Sequence, residues 1–199
     1  MKKAVIGVAL IALLALGCFE GEVTTPEETY PKPTSPVNAL KLVTISFNQR
    51  KVELLKPELS PDFVFYFDPD DVGQNPPGSE YVIPESWSYT GFWATANNLF
   101  GRAYAINLSI PTGGIGTPGP GETRYEAENV SVSLLVMVDE RNGYIADNGY
   151  CNFAFEVYYN EQKEKRWRLA GWRDFTSAYA DRMPGLTPTS LGRILAMYK

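Results

Sequence analysis

The apolar positions of this chain follow two periods, one typical of helices and one typical of strands. In residues 36–49 and 89–100 they recur three and four residues apart, which is the spacing of an amphipathic helix. The first such stripe comprises Val37, Leu40, Val43 and Phe47. Ser35 is a favourable N-cap and Pro36 suits the first helical position, so the pattern predicts a helix over 36–49.

A second helical stripe is rich in aromatic side chains. It comprises Tyr89, Phe92, Trp93, Ala96, Leu99 and Phe100. Ser88 can cap this helix, and a single apolar face of such width is typical of core packing. A short helical piece is predicted over 52–56, and a β-rich run between Pro61 and Pro69 predicts a strand over 62–68.

After Gly101 the period falls to two, which indicates half-buried strands. Alternating runs follow, separated by turns and by a glycine- and proline-rich loop over 111–123; they cover residues 104–110, 130–138, 151–159 and 167–174. The chain closes with an apolar run over 186–199, which predicts a short helix capped by Thr187 or Thr189. The pattern therefore predicts an α+β domain with helices first and a strand meander after them.

The last two runs also predict the register of a hairpin. A slip of one residue would turn every apolar side chain to the wrong face, so the two apolar faces must be joined. This criterion pairs Phe155 with Leu169, Val157 with Trp167, Glu156 with Arg168, and Asn152 with Trp172. Glu156 and Arg168 then face each other on the side opposite the apolar one, and such a pair contributes about 0.2–1 kcal/mol.

The first 17 residues have the composition of a secretory signal. Two lysines precede an apolar run over 4–16, which is too short to span a membrane. The segment 14–18, Leu-Ala-Leu-Gly-Cys, resembles the lipobox of bacterial lipoproteins, in which the signal is cut before a cysteine that is then lipidated. The resemblance implies removal of residues 1–17 and acylation of Cys18. The alternative is an ordinary cleaved signal with an incidental cysteine.

Residues 18–35 are the predicted tether between the lipid and the domain. Beyond Cys18 they hold three prolines and four glutamates, a composition typical of extended, mobile linkers. The domain itself is expected over 36–199. We expect the protein to be exported and anchored in membrane lipid through Cys18. In a cell with two membranes we expect the outer one, since Phe19 rather than aspartate follows the cysteine.

The charge balance and the missing residue types exclude several functions. The chain has 18 Lys and Arg against 23 Asp and Glu, and loss of the signal lysines makes it more acidic. Nucleic-acid binding needs a positive footprint and is excluded. Histidine is absent, which removes the usual zinc ligand and the commonest general base, so we predict no metal and no cofactor. Cys151 lies in an apolar run and is expected to be a buried hydrophobe.

Two short motifs have a formal likeness to ligand-binding loops. Residues 114–119 fit G-x-G-x-x-G, but Pro118 and Pro120 prevent the helix that a dinucleotide site needs. Residues 68–73 begin like a calcium loop, but Ser79 stands where the twelfth position requires a glutamate. Both are expected to be loops without ligands.

Three segments resemble the SnoaL-like, nuclear transport factor two superfamily. They are the helix that leads into residues 59–63 (Leu-Ser-Pro-Asp-Phe), the aromatic helix over 87–100, and the last strand over 166–174. The resemblance implies helices packed on a curved, mainly antiparallel sheet of four long strands, shaped like a cone, with a short C-terminal helix. The superfamily includes isomerases, dehydratases, transport factors and binding modules, so the fold leaves the function open.

Two functions are compatible with these observations. The first is a non-catalytic envelope lipoprotein that binds a small apolar ligand or an envelope protein, or serves in assembly. The alternative is an isomerase, lyase or hydrolase that uses carboxylate and tyrosine chemistry in the cone pocket, which needs no histidine. The candidate pocket or surface residues are Tyr66, Glu156, Arg168, Trp172 and Asp174.

Overall fold

The computed structural model describes residues 29–176 and 184–199. The predicted signal, Cys18 and residues 19–28 of the tether therefore lie outside the described residues. Within the described ranges, no helix combines the length and the apolar character that a membrane crossing requires.

The helices follow the predicted stripes. In chain order they are α1 (Pro36–Gln49), α2 (Val52–Leu55), a 3-10 turn (Lys56–Glu58), α3 (Tyr89–Arg102) and α4 (Leu191–Ala196). α1 begins as predicted, with Ser35 Oγ accepting a hydrogen bond from the Asn38 N–H at 3.2 Å and Pro36 in the first turn. α3 begins directly after Ser88, whose side chain makes no capping hydrogen bond.

The predicted cap of the last helix is wrong. Neither Thr187 nor Thr189 caps α4; Ser190 does, and its Oγ accepts a hydrogen bond from the Arg193 N–H at 3.2 Å. Thr187 belongs instead to a short strand that pairs with the sheet, and the Thr189 N–H donates to the Ile145 carbonyl at 2.9 Å. Because this backbone is bonded to the sheet, the helix can start only after it.

In the described residues, seven strands form one mixed sheet. They are β1 (Leu59–Tyr66), β2 (Ser86–Ser88), β3 (Ala105–Ser109), β4 (Arg124–Met137), β5 (Gly143–Tyr159), β6 (Lys165–Asp174) and β7 (Leu186–Pro188). The order is β2-β1-β6-β5-β4-β3, with β7 beside β5. The predicted meander is confirmed, because β3 to β6 pair in antiparallel succession. β1 adds a parallel strand beside β6, and β2 and β7 are too short to show a sequence period.

The hairpin of β5 and β6 has the predicted register near its turn. The observed pairs there are Phe155 with Leu169, Glu156 with Arg168, and Val157 with Trp167. The register then shifts by one residue, because Ala154 pairs with Gly171 and Ala170 is left over as a bulge.

The predicted pairing of Asn152 with Trp172 is wrong because of this bulge. Trp172 pairs with Phe153 instead, and both side chains are buried. The shift also places Asp174 among the buried residues. A pattern with period two carries no mark of an inserted residue, so the sequence alone could not locate the bulge.

The end of the predicted tether contacts the domain. The Tyr30 hydroxyl donates to Gln49 Oε1 at 3.0 Å, and Lys51 Nζ donates to that hydroxyl at 2.6 Å. Farther along, the backbone N–H of Trp167 donates to the carbonyl of Pro33 at 2.8 Å. Residues 29–35, which we call the strap, therefore connect the end of α1 to the start of β6.

Candidate functional site

The space between the helices and the sheet is filled with aromatic rings. Trp172 is 1% exposed, and four phenylalanine rings have centroids within 6.3 Å of its own: those of Phe47, Phe65, Phe92 and Phe153. Interiors packed in this way contain few voids larger than a water molecule. Around Trp172 the cone is therefore a packed core.

The opposite face of the sheet carries a groove made of three adjoining depressions. The central one has a volume of about 550 Å³ and lies between depressions of about 470 and 220 Å³. It shares Tyr66, Arg173 and Phe175 with the first of these and Asp62 and Glu126 with the second. We call this continuous depression the outer-face groove, and these two sets of residues mark its ends.

Small side chains form the floor of the outer-face groove. Ala154, Ala170 and Gly171 line its centre, and a Cβ atom on Gly171 would lie 3.4 Å from the Ala154 Cβ. The backbone of Phe153 and Trp172 also borders the floor, although the rings of both residues are buried on the other side of the sheet. The bulge at Ala170 thus turns Trp172 into the core and leaves a row of small residues outside.

One end of the groove carries an arginine stacked on a tyrosine. The guanidinium carbon of Arg173 lies 4.6 Å from the ring centroid of Tyr66. Tyr66 is 38% exposed and Phe175 is 40% exposed. A stacked guanidinium keeps its N–H donors in its own plane, where they can meet a carboxylate. No ion pair of Arg173 is recorded among the described residues.

The other end of the groove carries two carboxylates. Asp62 lies on β1 and Glu126 on β4, and both line the central and the smallest depression. In the part of the chain that the structure describes, neither carboxylate is recorded in an ion pair. Both ends of the groove carry charges of both signs, because Glu85 lines the depression beside Arg173 and Arg124 lines the one beside Asp62 and Glu126.

Glu156 and Arg168 form the ion pair that the register predicts. Arg168 Nη2 lies 2.7 Å from Glu156 Oε1, and the Ser60 hydroxyl donates to the same oxygen at 2.7 Å. Burial raises the pKa of Glu156, but the hydrogen bonds from Ser60 and Arg168 outweigh it, so the pKa lies below its ordinary value. Because its charge is already matched, this pair borders the groove without offering a free binding group.

Asp174 holds the start of α4. Its carboxyl group accepts hydrogen bonds from the Thr176 N–H at 2.9 Å and the Gly192 N–H at 2.7 Å. Position 192 must be glycine for its backbone to come this close to Asp174, because a Cβ at Gly192 would lie 2.7 Å from the ring of Phe67. Burial raises the pKa of Asp174 to about 7 despite these hydrogen bonds.

The structure divides the five predicted site residues between two faces. Tyr66 and Glu156 line the outer-face groove, and Arg168, which pairs with Glu156, lines a separate depression. Trp172 and Asp174 have buried side chains in the core. The bulge separates these two groups, because it reverses the alternation between Arg168 and Trp172.

The sequence analysis missed one buried carboxyl group, Glu58 in the 3-10 turn. Glu58 is 4% exposed, and its Oε2 has no hydrogen-bond partner within the described ranges. Desolvation raises the pKa of Glu58 to about 8, against the lowering effect of the Arg166 charge. Nothing in its Lys-Pro-Glu context distinguishes it from a solvated turn, so no sequence signal could have revealed it.

The other motifs serve the fold. Asp71 accepts a hydrogen bond from the Ser190 hydroxyl and pairs with Arg193 at 2.6 Å, so this aspartate-rich loop attaches α4. Residues 114–119 are turn and coil before β4. Burial raises the pKa of the Cys151 thiol well above its usual value, which makes the thiol unreactive. In the segments that the structure describes, no three metal-ligating side chains come together.

No family model and no curated protein matches this chain. Among solved structures it is similar to the Kfla4162 protein of Kribbella flavida, with a TM-score of 0.51 at 14% identity over 81% of this chain and 93% of that one. It is also similar to a Novosphingobium aromaticivorans protein provisionally named a scytalone dehydratase, with a TM-score of 0.48 at 12% identity over 74% and 87% of the two chains.

A further similar structure is a nuclear transport factor 2 superfamily protein of Salmonella enterica, with a TM-score of 0.47 at 12% identity over 73% and 90% of the two chains. At these identities the likeness is one of fold alone. The predicted fold class, helices packed on a curved and mainly antiparallel sheet with a short C-terminal helix, is confirmed by the element order and the strand pairing.

Proposed function

We propose that this protein is a lipid-anchored, non-catalytic binding module of the bacterial cell envelope, and that its ligand occupies the outer-face groove. The observation that carries the proposal is the ring packing around Trp172, which fills the cone. A ligand site needs a concave surface that is open to the ligand. The groove on the opposite face meets this condition.

The packed interior does not favour the enzymatic alternative. An isomerase, lyase or hydrolase in the cone needs a carboxyl group or a tyrosine that reaches a bound substrate. Asp174 and Glu58, the carboxyl groups whose pKa is raised to about 7 and about 8, are both buried, and Asp174 is bonded to α4. We therefore favour binding without catalysis.

The anchoring part of the proposal rests on the lipobox-like segment that ends at Cys18. An extended chain from Cys18 to Thr29 spans at most about 40 Å. The strap then connects this tether to α1 and β6. Anchored in this way, the domain would remain close to the membrane surface, and in a cell with two membranes we retain the outer one as its place.

Metabolic labelling with a clickable fatty acid tests the anchor. We expect the protein to incorporate the label in a bacterial host and a Cys18→Ser variant to lose it. Cys151→Ser is the matched control, because it changes the other cysteine of the chain and should keep the label. Equal labelling of the Cys18→Ser variant and the unchanged protein would contradict lipidation at Cys18.

Photo-crosslinking in cells tests the binding face. A photoreactive residue at Val64, which lines the groove, should give adducts detectable by intact mass, and the same residue at exposed Asn97 on α3 should not. The change Gly171→Trp fills the groove floor and should abolish the Val64 adducts, with thermal unfolding as the check on folding. No adduct at Val64, or adducts that persist with Gly171→Trp, would contradict the proposed face.

A further inference from the structure

We propose that one end of the outer-face groove binds a free amino acid with an apolar side chain, its carboxylate at Arg173 and its ammonium group at Glu85. This inference rests on the proposed function and specifies the class of its ligand. The site is the depression of about 470 Å³ beside the central one, which we call the end depression. Among the described residues, Glu85 and Arg173 are the two charged residues that line it. The other lining residues are uncharged: Tyr66, Phe67, Pro69, Val72 and Phe175.

Arg173 suits the carboxylate of the ligand. Its guanidinium carbon lies 4.6 Å from the ring centroid of Tyr66, and a guanidinium stacked in this way keeps its N–H donors available in its own plane. Two parallel N–H donors match the two oxygens of a carboxylate, and such charge-assisted pairs are among the strong hydrogen bonds of proteins. Phe175 lines the same depression and would shield this contact partly from water.

Glu85 suits the ammonium group. Its side chain is exposed and lines the same depression as Arg173. Among the ion pairs recorded for the described part of the chain, none joins Glu85 to Arg173. The two groups thus face one cavity without contacting each other. A ligand that carries both charges supplies each of them with a counterion.

The strand order sets the distance between the two charged groups. Tyr66 on β1 pairs with Ser86 of β2 on one side and with Arg173 of β6 on the other. Ser86 and Arg173 are therefore two strand spacings apart, about 10 Å at roughly 4.8 Å per spacing. Glu85 directly precedes Ser86. Both charged side chains are long, so they can converge on the carboxylate and the ammonium group that an amino acid carries on one carbon atom.

The aspartates of the loop between β1 and β2 add negative charge on the ammonium side. Asp68 and Asp70 flank Pro69, a lining residue of the end depression. Asp71 in the same loop is already paired with Arg193, so its charge is matched. The field of this loop therefore favours an ammonium group on the side of β1 and β2, and a carboxylate on the side of β6.

The carboxylates of the central depression lie away from the end depression. Asp62 is four residues from Tyr66 on β1, which is about 13 Å at a rise of roughly 3.3 Å per residue. Glu126 is on β4, two strands away from β6 and Arg173. Neither lines the end depression, so Glu85 is the carboxylate placed to meet a ligand bound at Arg173.

The rest of the lining favours an apolar side chain in the ligand. Pro69 and Val72 lie on the loop side of the end depression, and Phe175, which is 40% exposed, lies on the side of β6. A ligand side chain placed between them would remove apolar surface from water on both sides. The volume of about 470 Å³ lies within the range of roughly 300–1,000 Å³ that is typical of small-molecule sites.

Isothermal titration of the purified full-length protein with L-phenylalanine tests the proposal. We expect the free amino acid to bind, and N-acetyl-L-phenylalanine and L-phenylalanine amide each to bind at least about tenfold more weakly, since each lacks one of the two charges. Glycine carries both charges without an apolar side chain, so it should also bind more weakly. Equal binding of the free and capped forms would overturn the proposal, and equal binding of glycine would overturn the role of the apolar lining.

Variants identify the group that each residue recognises. Arg173→Gln should bind phenylalanine and its amide equally, and Glu85→Gln should bind phenylalanine and its acetyl form equally. Arg102→Gln is the matched control for the arginine, because Arg102 also stacks on a tyrosine, Tyr198, at 5.5 Å, but lines no part of the groove. Glu53→Gln is the control for the glutamate, since Glu53 is exposed and lines a separate depression. Both controls should discriminate between free and capped forms as the unchanged protein does, and thermal unfolding checks that each variant folds.

The outcomes separate this inference from the proposed function. Absence of phenylalanine binding, or unchanged discrimination in folded Arg173→Gln or Glu85→Gln, overturns the amino-acid assignment. The crosslinking at Val64 and its loss with Gly171→Trp do not depend on the class of the ligand. Adducts that follow this pattern without phenylalanine binding would leave the binding module standing and reject only the amino acid as its ligand.

Discussion

Asn48 on α1 is bonded through both ends of its side-chain amide to the backbone of Leu108 on β3. Its Nδ2 donates to the Leu108 carbonyl at 3.0 Å, and its Oδ1 accepts from the Leu108 N–H at 2.6 Å. β3 is an edge strand of the sheet, so the amide satisfies backbone groups that would otherwise lack a strand partner. The contact also attaches the first helix to the sheet.

We expect Asn48→Ala to lower the free energy of unfolding by about 2 kcal/mol, because two hydrogen bonds are lost at roughly 1 kcal/mol each. Urea unfolding followed by tryptophan fluorescence measures the change. Asn48→Asp keeps the shape but cannot donate to the Leu108 carbonyl, so it should also destabilise. Asn97→Ala, at an exposed position of α3, is the control and should change stability by less than about 0.5 kcal/mol.

Neighbouring residues on β6 should respond very differently to truncation. Trp167 is 3% exposed, so Trp167→Ala should lower the free energy of unfolding by about 3–5 kcal/mol. Arg168 lies on the other face in a partly solvated ion pair, so Arg168→Ala should cost about 1 kcal/mol. Denaturant unfolding of both variants checks the ordering, and a larger loss for Arg168→Ala would contradict the energetic ranking of the two faces.

Burial of the Glu58 and Asp174 carboxyl groups should make stability fall as pH rises from about 4 to about 8. Burial raises the pKa of Glu58 to about 8 and that of Asp174 to about 7. In the unfolded chain both carboxyl groups ionise near pH 4. The folded state therefore binds these protons more tightly, and their stabilising contribution is complete below the unfolded pKa and lost as pH rises through the folded pKa.

Glu58→Gln should flatten this dependence most clearly between about pH 7 and 8, where Asp174 is ionised in both states and Glu58 alone still changes stability with pH. Urea midpoints measured at several pH values test this. Glu53→Gln, at an exposed position of α2, is the matched control and should leave the slope unchanged. A Glu58→Gln variant with the slope of the unchanged protein would show that Glu58 does not carry the effect.

Removal of the strap should destabilise the domain, whereas removal of the residues before it should not. A chain that starts at Thr34 lacks the Pro33 carbonyl and leaves the Trp167 N–H without its partner, which costs about 1–3 kcal/mol. It also lacks Tyr30, which bonds to Gln49. A chain that starts at Thr29 is the control. Equal thermal unfolding of the two chains would show that the strap contacts contribute nothing.

Local rules were sufficient for the first helix and for part of the sheet, but not for the cap of α4. The boundaries of α1 follow from Ser35, Pro36 and one apolar stripe, all within a single segment of the chain. The pairing of Phe155 with Leu169 follows from alternation across one short turn. Both signals depend on residues close in sequence, where backbone geometry alone fixes which side chains share a face.

Pairings between distant residues were decided by the tertiary structure. The bond between Asn48 and Leu108 joins residues far apart in sequence, and the same holds for Asp174 with Gly192. The parallel pairing of β1 with β6 is also of this kind. Asn48 and Asp174 would have the same sequence neighbours whether their side chains were solvated or buried, so the sequence does not indicate their partners.

The candidate site shows the same division. Sequence pattern placed Glu156 and Arg168 together, because alternation holds up to that point of the hairpin. The inserted Ala170 then reversed the faces, and Trp172 and Asp174 became part of the core. Alternation by itself determined which neighbouring residues share a face. Only the packing of β6 between β1 and β5 decided where the extra residue lies. The position of that residue in turn decided which face of the sheet carries the groove.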